Sequence, residues 1–170
     1  MGSRQSCVFK IYLAVKQASA NIRFMIALIQ RVQSAQVDVG GLTVGQINQG
    51  ILALIGVERD DTVVQAEHLL NKICRYRIFS DEQGKMNLSL NDTHGDLLLV
   101  SQFTLVADTR KGNRPGFSRG ASPAHGEAIF NELVALAQQT NHHIQTGQFG
   151  ANMQVSLVND GPVTFWLQSK

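Results

Sequence analysis

Residues 25–57 read MIALIQRVQSAQVDVGGLTVGQINQGILALIGV, and the fold follows from how this stretch is divided. Met25 to Ile29 is apolar throughout, and alternation begins at Arg31 and Val32, the pattern of a strand. Val37-Asp38-Val39, Gly40-Gly41 and Leu42-Thr43-Val44 read as a β-hairpin with a two-glycine turn. Ile51 to Val57 is a buried strand closed by Gly56 and the charges behind it. Sheet therefore dominates the start of the chain.

Helices enter further out. Asp61 or Thr62 can cap a helix whose apolar stripe is Val63, Ala66, Leu70, Ile73 and Cys74. Asp81 to Gly84 is a turn, and Leu97 to Leu105 is the most hydrophobic strand of the chain. A polar loop over 108–120 sets Arg110, Lys111, Arg114 and Arg119 against Asp108 alone. Ser122-Pro123 then opens a second helix, with serine as cap, proline in the first position, and Ile129, Leu133 and Leu136–Ala137 as its stripe. Gln145–Gly150, Met153–Val158 and Val163–Leu167 supply closing strands, with Asn159-Asp160-Gly161-Pro162 as the turn between the last two. The expectation is a single compact α/β domain over 25–170, strand-rich, with two main helices packed on sheet layers.

Composition narrows the class. The chain has 170 residues, 44% hydrophobic and 16% charged, which excludes a disordered, collagen-like or coiled-coil protein. No apolar run approaches the roughly 18 residues that span a bilayer. The net charge of +2 is uneven. Residues 1–24 hold four of the 15 basic side chains and none of the 13 acidic ones, so 25–170 carry 11 against 13, a net of −2. Residues 1–24 are an extension with several open explanations: a start placed too early, a tag scar beginning Met1-Gly2-Ser3, an organellar leader, or an extra strand around Val8–Val15. Cys7 lies in that extension, and Cys74 falls on an apolar helix face as a core thiol. The absence of a disulfide framework or CxxC pair fits a reducing cytoplasm.

Four features could carry chemistry. Gly116-Phe117-Ser118-Arg119-Gly120 matches the G-x-S-x-G elbow of serine hydrolases, but a charged loop rather than a buried strand precedes it. His68, His94, His125, His142 and His143 form no metal-ligand spacing, so capping or solvated histidines are expected and no metal is called for. Ser101 and Gln102 interrupt an apolar strand, where unpartnered polar groups would cost a few kcal/mol. They either satisfy neighbouring backbone or floor a pocket that shows hydroxyl, amide and backbone N–H groups to a ligand. Gly161-Pro162 is either ordinary turn chemistry or a rigid device that aims two backbone carbonyls.

Taken together these segments resemble the D-aminoacyl-tRNA deacylase (D-tyrosyl-tRNA deacylase) family of the bacterial and eukaryotic type. The matching text is Met25–Val32, Tyr76–Asp81, Gly84–Asn87, Ser101-Gln102-Phe103-Thr104-Leu105, Ala107–Thr109, Gly120–Pro123 and Met153–Thr164. It runs in order over the whole body of the chain.

The resemblance implies hydrolysis of the ester joining a D-amino acid to the 3′-terminal adenosine of tRNA, and of glycine mischarged on tRNA. It implies a homodimer with both sites at the interface, no cofactor, no metal, and neither membrane nor DNA as partner. Ser101, Gln102, Phe103 and Thr104 would form the pocket of one subunit, and Gly161 and Pro162, joined by a cis peptide, the element reaching in from the other. Arg31 would support that element. L-amino acids would be excluded sterically, and the tRNA 2′-hydroxyl, rather than Thr104, would assist the attacking water. A tRNA 3′-end binding module without turnover, and a serine esterase using Ser118, are the competing readings.

Overall fold

The computed structural model describes residues 24–110 and 112–169. All of the extension but Phe24 thus lies outside the described residues, the suggested strand at Val8–Val15 included. Strand β1 (Ile26–Val39) is the spine of the fold. Its first half pairs antiparallel with β3 (Gly50–Gly56), its second half with β2 (Leu42–Ile47), and its opposite edge with β8 (Met153–Gln168). From β3 the sheet continues in parallel to β6 (Asp96–Ser101) and β7 (Ile144–Thr146). A two-stranded hairpin, β4 (Phe79–Ser80) and β5 (Met86–Leu88), stands apart. The helices are α1 (Val63–Arg75), the single turn α2 (Leu90–Thr93) and α3 (Pro123–Gln138).

Local chemistry explains these elements. Gly40 and Gly41 take φ of 58° and 82°, which glycine adopts without strain, and the strands on either side pair through Val39 and Leu42. Thr62 caps α1 by accepting from Val64 N–H, while the Gln65 side chain returns to Thr62 N–H at 2.9 Å. Asp61, the other candidate cap, turns inward instead. Ser122 caps α3, with Pro123 in its first turn.

The sheet has two buried faces. Met25, Ala27, Ile29, Ile51, Ala53, Ile55, Leu97 and Leu99 pack beneath α1 and α3, against Leu69, Ile73, Ile129, Phe130 and Leu133. Leu69 fills the stripe position expected of Val63, which is exposed. Val32, Ala35, Val37, Ile47, Leu52, Leu98 and Val100 form a second cluster on the other face. The sheet curls to enclose it, bringing β2 onto β7. A Cβ on Gly45 would lie 2.5 Å from the Thr146 carbonyl oxygen, so only glycine permits that approach. Among the described residues no helix is long and apolar enough to cross a membrane.

Two boundaries differ from the sequence reading. The strand expected over Leu97–Leu105 ends at Ser101, and Phe103–Val106 forms a 3-10 turn. Gly56 makes room for that turn: a Cβ there would stand 3.1 Å from Leu105 Cβ and Val106 Cγ1. The two closing strands are one strand, β8, and Asn159–Pro162 does not reverse the chain. Both halves of β8 run antiparallel to β1 in the same direction, and only residues 160–163 leave the ladder.

Candidate active site: a polar turn and a braced excursion

The polar turn grows from the end of β6. Ser101 is held in register with Ile55, and Gln102 N–H donates to the Ile55 carbonyl at 2.7 Å. The chain then bends at Gln102 (φ −141°, ψ 82°) into the 3-10 turn. Gln102 Nε2 donates to Thr104 Oγ1 at 2.5 Å, so the two side chains tie the turn to itself. As first-turn residues, Phe103 and Thr104 have N–H groups without an intrahelical carbonyl to reach. Ser101 and Gln102 are half-buried, while Phe103 and Thr104 are exposed. Of the two sequence explanations of Ser101–Gln102, the structure shows the first, since Gln102 N–H is satisfied by the Ile55 carbonyl; the second, a pocket floor, is taken up below as a proposal.

The excursion in β8 opens where Arg31 stands on β1. Gln30 pairs with Thr164 and Val32 with Asn159, so Arg31 faces four residues with no ladder partner. Its side chain is mostly buried and well satisfied. Nε lies 3.1 Å from the Asp160 carbonyl and 3.0 Å from Asp160 Oδ2, and an Nη donates to the Ile78 carbonyl at 2.6 Å. The Gly161–Pro162 peptide is cis, both residues are exposed, and Gly161 has φ of 137°, open only to glycine. Asn159 completes the brace: its Oδ1 accepts from Val163 N–H at 2.7 Å, and its Nδ2 donates to Thr164 Oγ1 at 2.9 Å. Sequence analysis assigned neither Asn159 nor Thr164 a role, and their equal spacing around Gly161-Pro162 was the available signal.

Within one chain these two segments do not meet. Ser101 aligns with Ile55, Ala27 and Leu167 across three strand steps, whereas the excursion lies opposite Arg31, four residues along β1. At about 3.3 Å per residue and 4.8 Å per strand, they stand on the order of 20 Å apart.

The remaining candidates fall away on geometry. Ser118 lies in an exposed turn with neither strand before it nor helix after it, and its carbonyl accepts from Arg59. His125 Nε2 lies 2.9 Å from the Asp61 carbonyl, and His142 Nε2 2.9 Å from Asn91 Oδ1, both structural contacts. Among the described residues no cluster of His, Cys, Asp and Glu could hold a metal ion. Cys74 is buried in the helical core, and burial pushes its thiol up to about 11. The 108–120 loop, by contrast, touches the site, since Phe117 packs on Phe103 with ring centroids 5.2 Å apart.

Known proteins match this arrangement over nearly their full length. The family model described as D-Tyr-tRNA(Tyr) deacylase matches residues 28–168. A protein of Thioalkalivibrio sulfidiphilus named D-aminoacyl-tRNA deacylase is 62% identical over 85% of this chain and 97% of its own length. One of the same name from Alteromonas mediterranea is 60% identical over 83% of this chain and 97% of its own. Among solved structures, the c-Myc DNA Unwinding Element Binding Protein superposes with a TM-score of 0.80 at 39% identity, covering 85% of this chain and 99% of that one. A probable eukaryotic D-amino acid tRNA deacylase shares the fold at 16% identity, with a TM-score of 0.74 over 86% of this chain and all of that one.

Proposed function

The chain belongs to the D-Tyr-tRNA(Tyr) deacylase family, and from that premise we infer how its geometry serves the hydrolysis of D-aminoacyl-tRNA. The enzyme is a D-aminoacyl-tRNA deacylase: it cleaves the ester between a D-amino acid and tRNA, releasing both. The observation that carries the site reading is the separation of the polar turn from the excursion by about 20 Å within one chain. One site containing both then needs a second copy, whose Gly161–Pro162 reaches the Ser101–Thr104 turn of the first.

The sheet edge supports that homodimer. Among the described residues strand β8 pairs only with β1, and it runs for 16 residues, with Val158 51% and Trp166 49% exposed. A long unpaired edge of this kind is a template for pairing with another chain. In the dimer the excursion presents its carbonyls to the α-ammonium group of the substrate from a fixed distance. An L side chain would point into that backbone and is rejected, a D side chain points away, and glycine passes the same filter.

For the chemistry, Thr104 is poorly placed to attack. Its hydroxyl accepts from the Gln102 amide, which cannot take a proton. The terminal ribose 2′-hydroxyl assists the attacking water, and N–H groups at Phe103 and Thr104 stabilise the tetrahedral oxyanion. Nothing in this scheme calls for a metal or cofactor, and a cytoplasmic location belongs to the same reading.

Deacylation of matched D- and L-aminoacyl-tRNA with a chelator present tests the reading. Turnover of the D substrate alone is expected. No turnover would establish a tRNA-end binding module, and turnover of L substrate and simple esters, abolished by Ser118→Ala, a serine esterase. Thr104→Ala decides the mechanism: a loss of less than about tenfold is expected if threonine only shapes the pocket, loss of nearly all activity would sink the RNA-assisted scheme, and an isolable Thr104 ester would establish the nucleophile.

A further inference from the structure

Between β3 and α1 the chain buries two carboxylates. Glu58 is fully buried and Asp61 almost so. Asp61 Oδ2 accepts from Glu58 N–H at 2.6 Å, and Glu58 Oε1 pairs with the Arg119 guanidinium. The other oxygen of each, Glu58 Oε2 and Asp61 Oδ1, has no hydrogen-bond partner among the described residues. Such an arrangement is a poor stabiliser, since burying a carboxylate with incomplete partners is unfavourable and apolar groups would serve packing better.

The geometry shows what the pair holds. At Glu58 the backbone forms a bridge to Gly120, Arg59 N–H donates to the Arg119 carbonyl at 3.0 Å, and Ala121 N–H to that of Val57 at 3.1 Å. The Arg59 guanidinium donates to the Ser118 carbonyl. The near end of the loop is closed by Asp108 and Gly116, which exchange backbone hydrogen bonds at 2.7 and 2.9 Å. Between these two ties the chain offers Phe117 to Phe103, whose ring is 68% exposed. The loop also meets the turn at its far end, where a Cβ on Gly120 would stand 3.1 Å from Val106 Cγ2.

We propose that Glu58 is a positioning residue for the deacylase site: acting through Arg119, it holds the 116–120 segment so that Phe117 packs on Phe103 and fixes the turn carrying Ser101–Thr104. The inference rests on the assignment of that turn to the active site. Glu58 touches no substrate. Its backbone is fixed in the short connection between β3 and α1, where its N–H donates to Asp61, and its carboxylate ties Arg119, and with it the loop, to that connection. A displacement of about 1 Å at a reacting centre can lower the rate on the order of a hundredfold, so a ring contact that restrains Phe103 matters to kcat.

The test is a double-variant cycle on Arg119→Ala and Phe117→Ala, with D-aminoacyl-tRNA as substrate. Phe117 and the Arg119 side chain are both partly exposed, so the variants keep a folded core. Rates are divided by the folded fraction from circular dichroism, which removes any purely structural loss. Each single variant should lower kcat about tenfold or more and leave KM within about threefold, and the double variant should be no worse than the poorer single. Glu58→Gln, which keeps an acceptor for Arg119, should retain more activity than Arg119→Ala. Losses that multiply in the double variant, or single variants that work at the parent rate, would overturn the proposal. Failure of the parent protein to turn over D-aminoacyl-tRNA would instead overturn the active-site assignment, so the two failures are distinct.

Discussion

Two irregular segments belong to or abut the proposed site, and each is held by one arginine, in opposite ways. At the β8 excursion the buried partner is the cation: Arg31 is enclosed and satisfied by the Asp160 carboxylate and two backbone carbonyls. At the 116–120 segment the buried partner is the anion. Glu58 is enclosed, Arg119 is partly exposed, and one carboxylate oxygen on Glu58 and another on nearby Asp61 remain unpartnered. The first brace is complete within itself, as suits a segment that must project rigidly from a sheet edge. The second carries a standing electrostatic penalty. Loss of the first should therefore damage function outright, whereas the second can be relieved by substitution.

The largest effect is expected at the complete brace. Gly161→Ala introduces a Cβ 2.6 Å from Val163 Cγ2 and 3.0 Å from its amide nitrogen, at a φ of 137° that L residues rarely adopt. Strain of this kind amounts to about 1–3 kcal/mol, and the excursion has no slack to absorb it because Asn159 and Arg31 fix both flanks. D-aminoacyl-tRNA deacylation should fall at least a hundredfold while the melting temperature drops by only a few degrees. Arg31→Lys should follow the same pattern, because a lysine keeps the charge but cannot serve the Asp160 and Ile78 carbonyls together. Retention of more than a tenth of the activity in either variant would break the contrast.

The incomplete brace answers to pH. Burial first, and then the charges of Glu58 and Asp60, push the Asp61 carboxyl up to about 6, against the lowering influence of the Glu58 N–H and of His125. Arg119, across the pair, is the facing cation on the loop. A carboxyl raised on folding binds its proton more tightly in the native than in the unfolded chain. Stability therefore declines as pH rises from about 4 to about 6 and stays low above it. Asp61→Asn removes that dependence while keeping an acceptor for Glu58 N–H. It should raise stability by about 1–3 kcal/mol above pH 6 and leave it little changed near pH 4, as followed by thermal melts across that range. A destabilised variant at pH 8 would mean that the Asp61 charge is needed, and that both braces are complete.

This contrast also marks where the sequence stops being legible. Strands, both main helices and their caps follow from periodicity and from single residues such as Gly40-Gly41 and Ser122-Pro123, because those signals are local. Ser101-Gln102 stood out because two polar residues broke an apolar run. Gly161-Pro162 reads locally as a turn between two strands, and only the family resemblance marks it as a cis element reaching toward another subunit. Its true setting depends on both halves of β8 finding the same partner, β1, more than a hundred residues earlier. From sequence, Asp61 reads as a candidate helix cap and Glu58 only as a charge behind the strand that ends at Gly56. Their burial is decided by Arg119 and the loop around it, about 60 residues on, and no pattern near Glu58 encodes that.

The smallest effect concerns the basic side chains farther along the same loop, and it asks whether the loop carries charge outward as well as inward. Arg110 is engaged: its Nε and Nη2 meet the two carboxylate oxygens of Asp108 at 2.8 and 2.6 Å, which holds the Asp108 carboxyl well below its usual range. Arg114 is exposed and has no ion pair among the described residues. An arginine already forked onto a carboxylate has few donors left for a phosphate, whereas a free one can displace a counterion from the backbone. Arg114→Ala should thus reduce the slope of log K for tRNA against log salt by about 0.7, and Arg110→Ala by less than half of that. Equal losses would mean that Asp108 releases Arg110 to the RNA, and unchanged slopes in both variants that the loop meets the active-site turn alone.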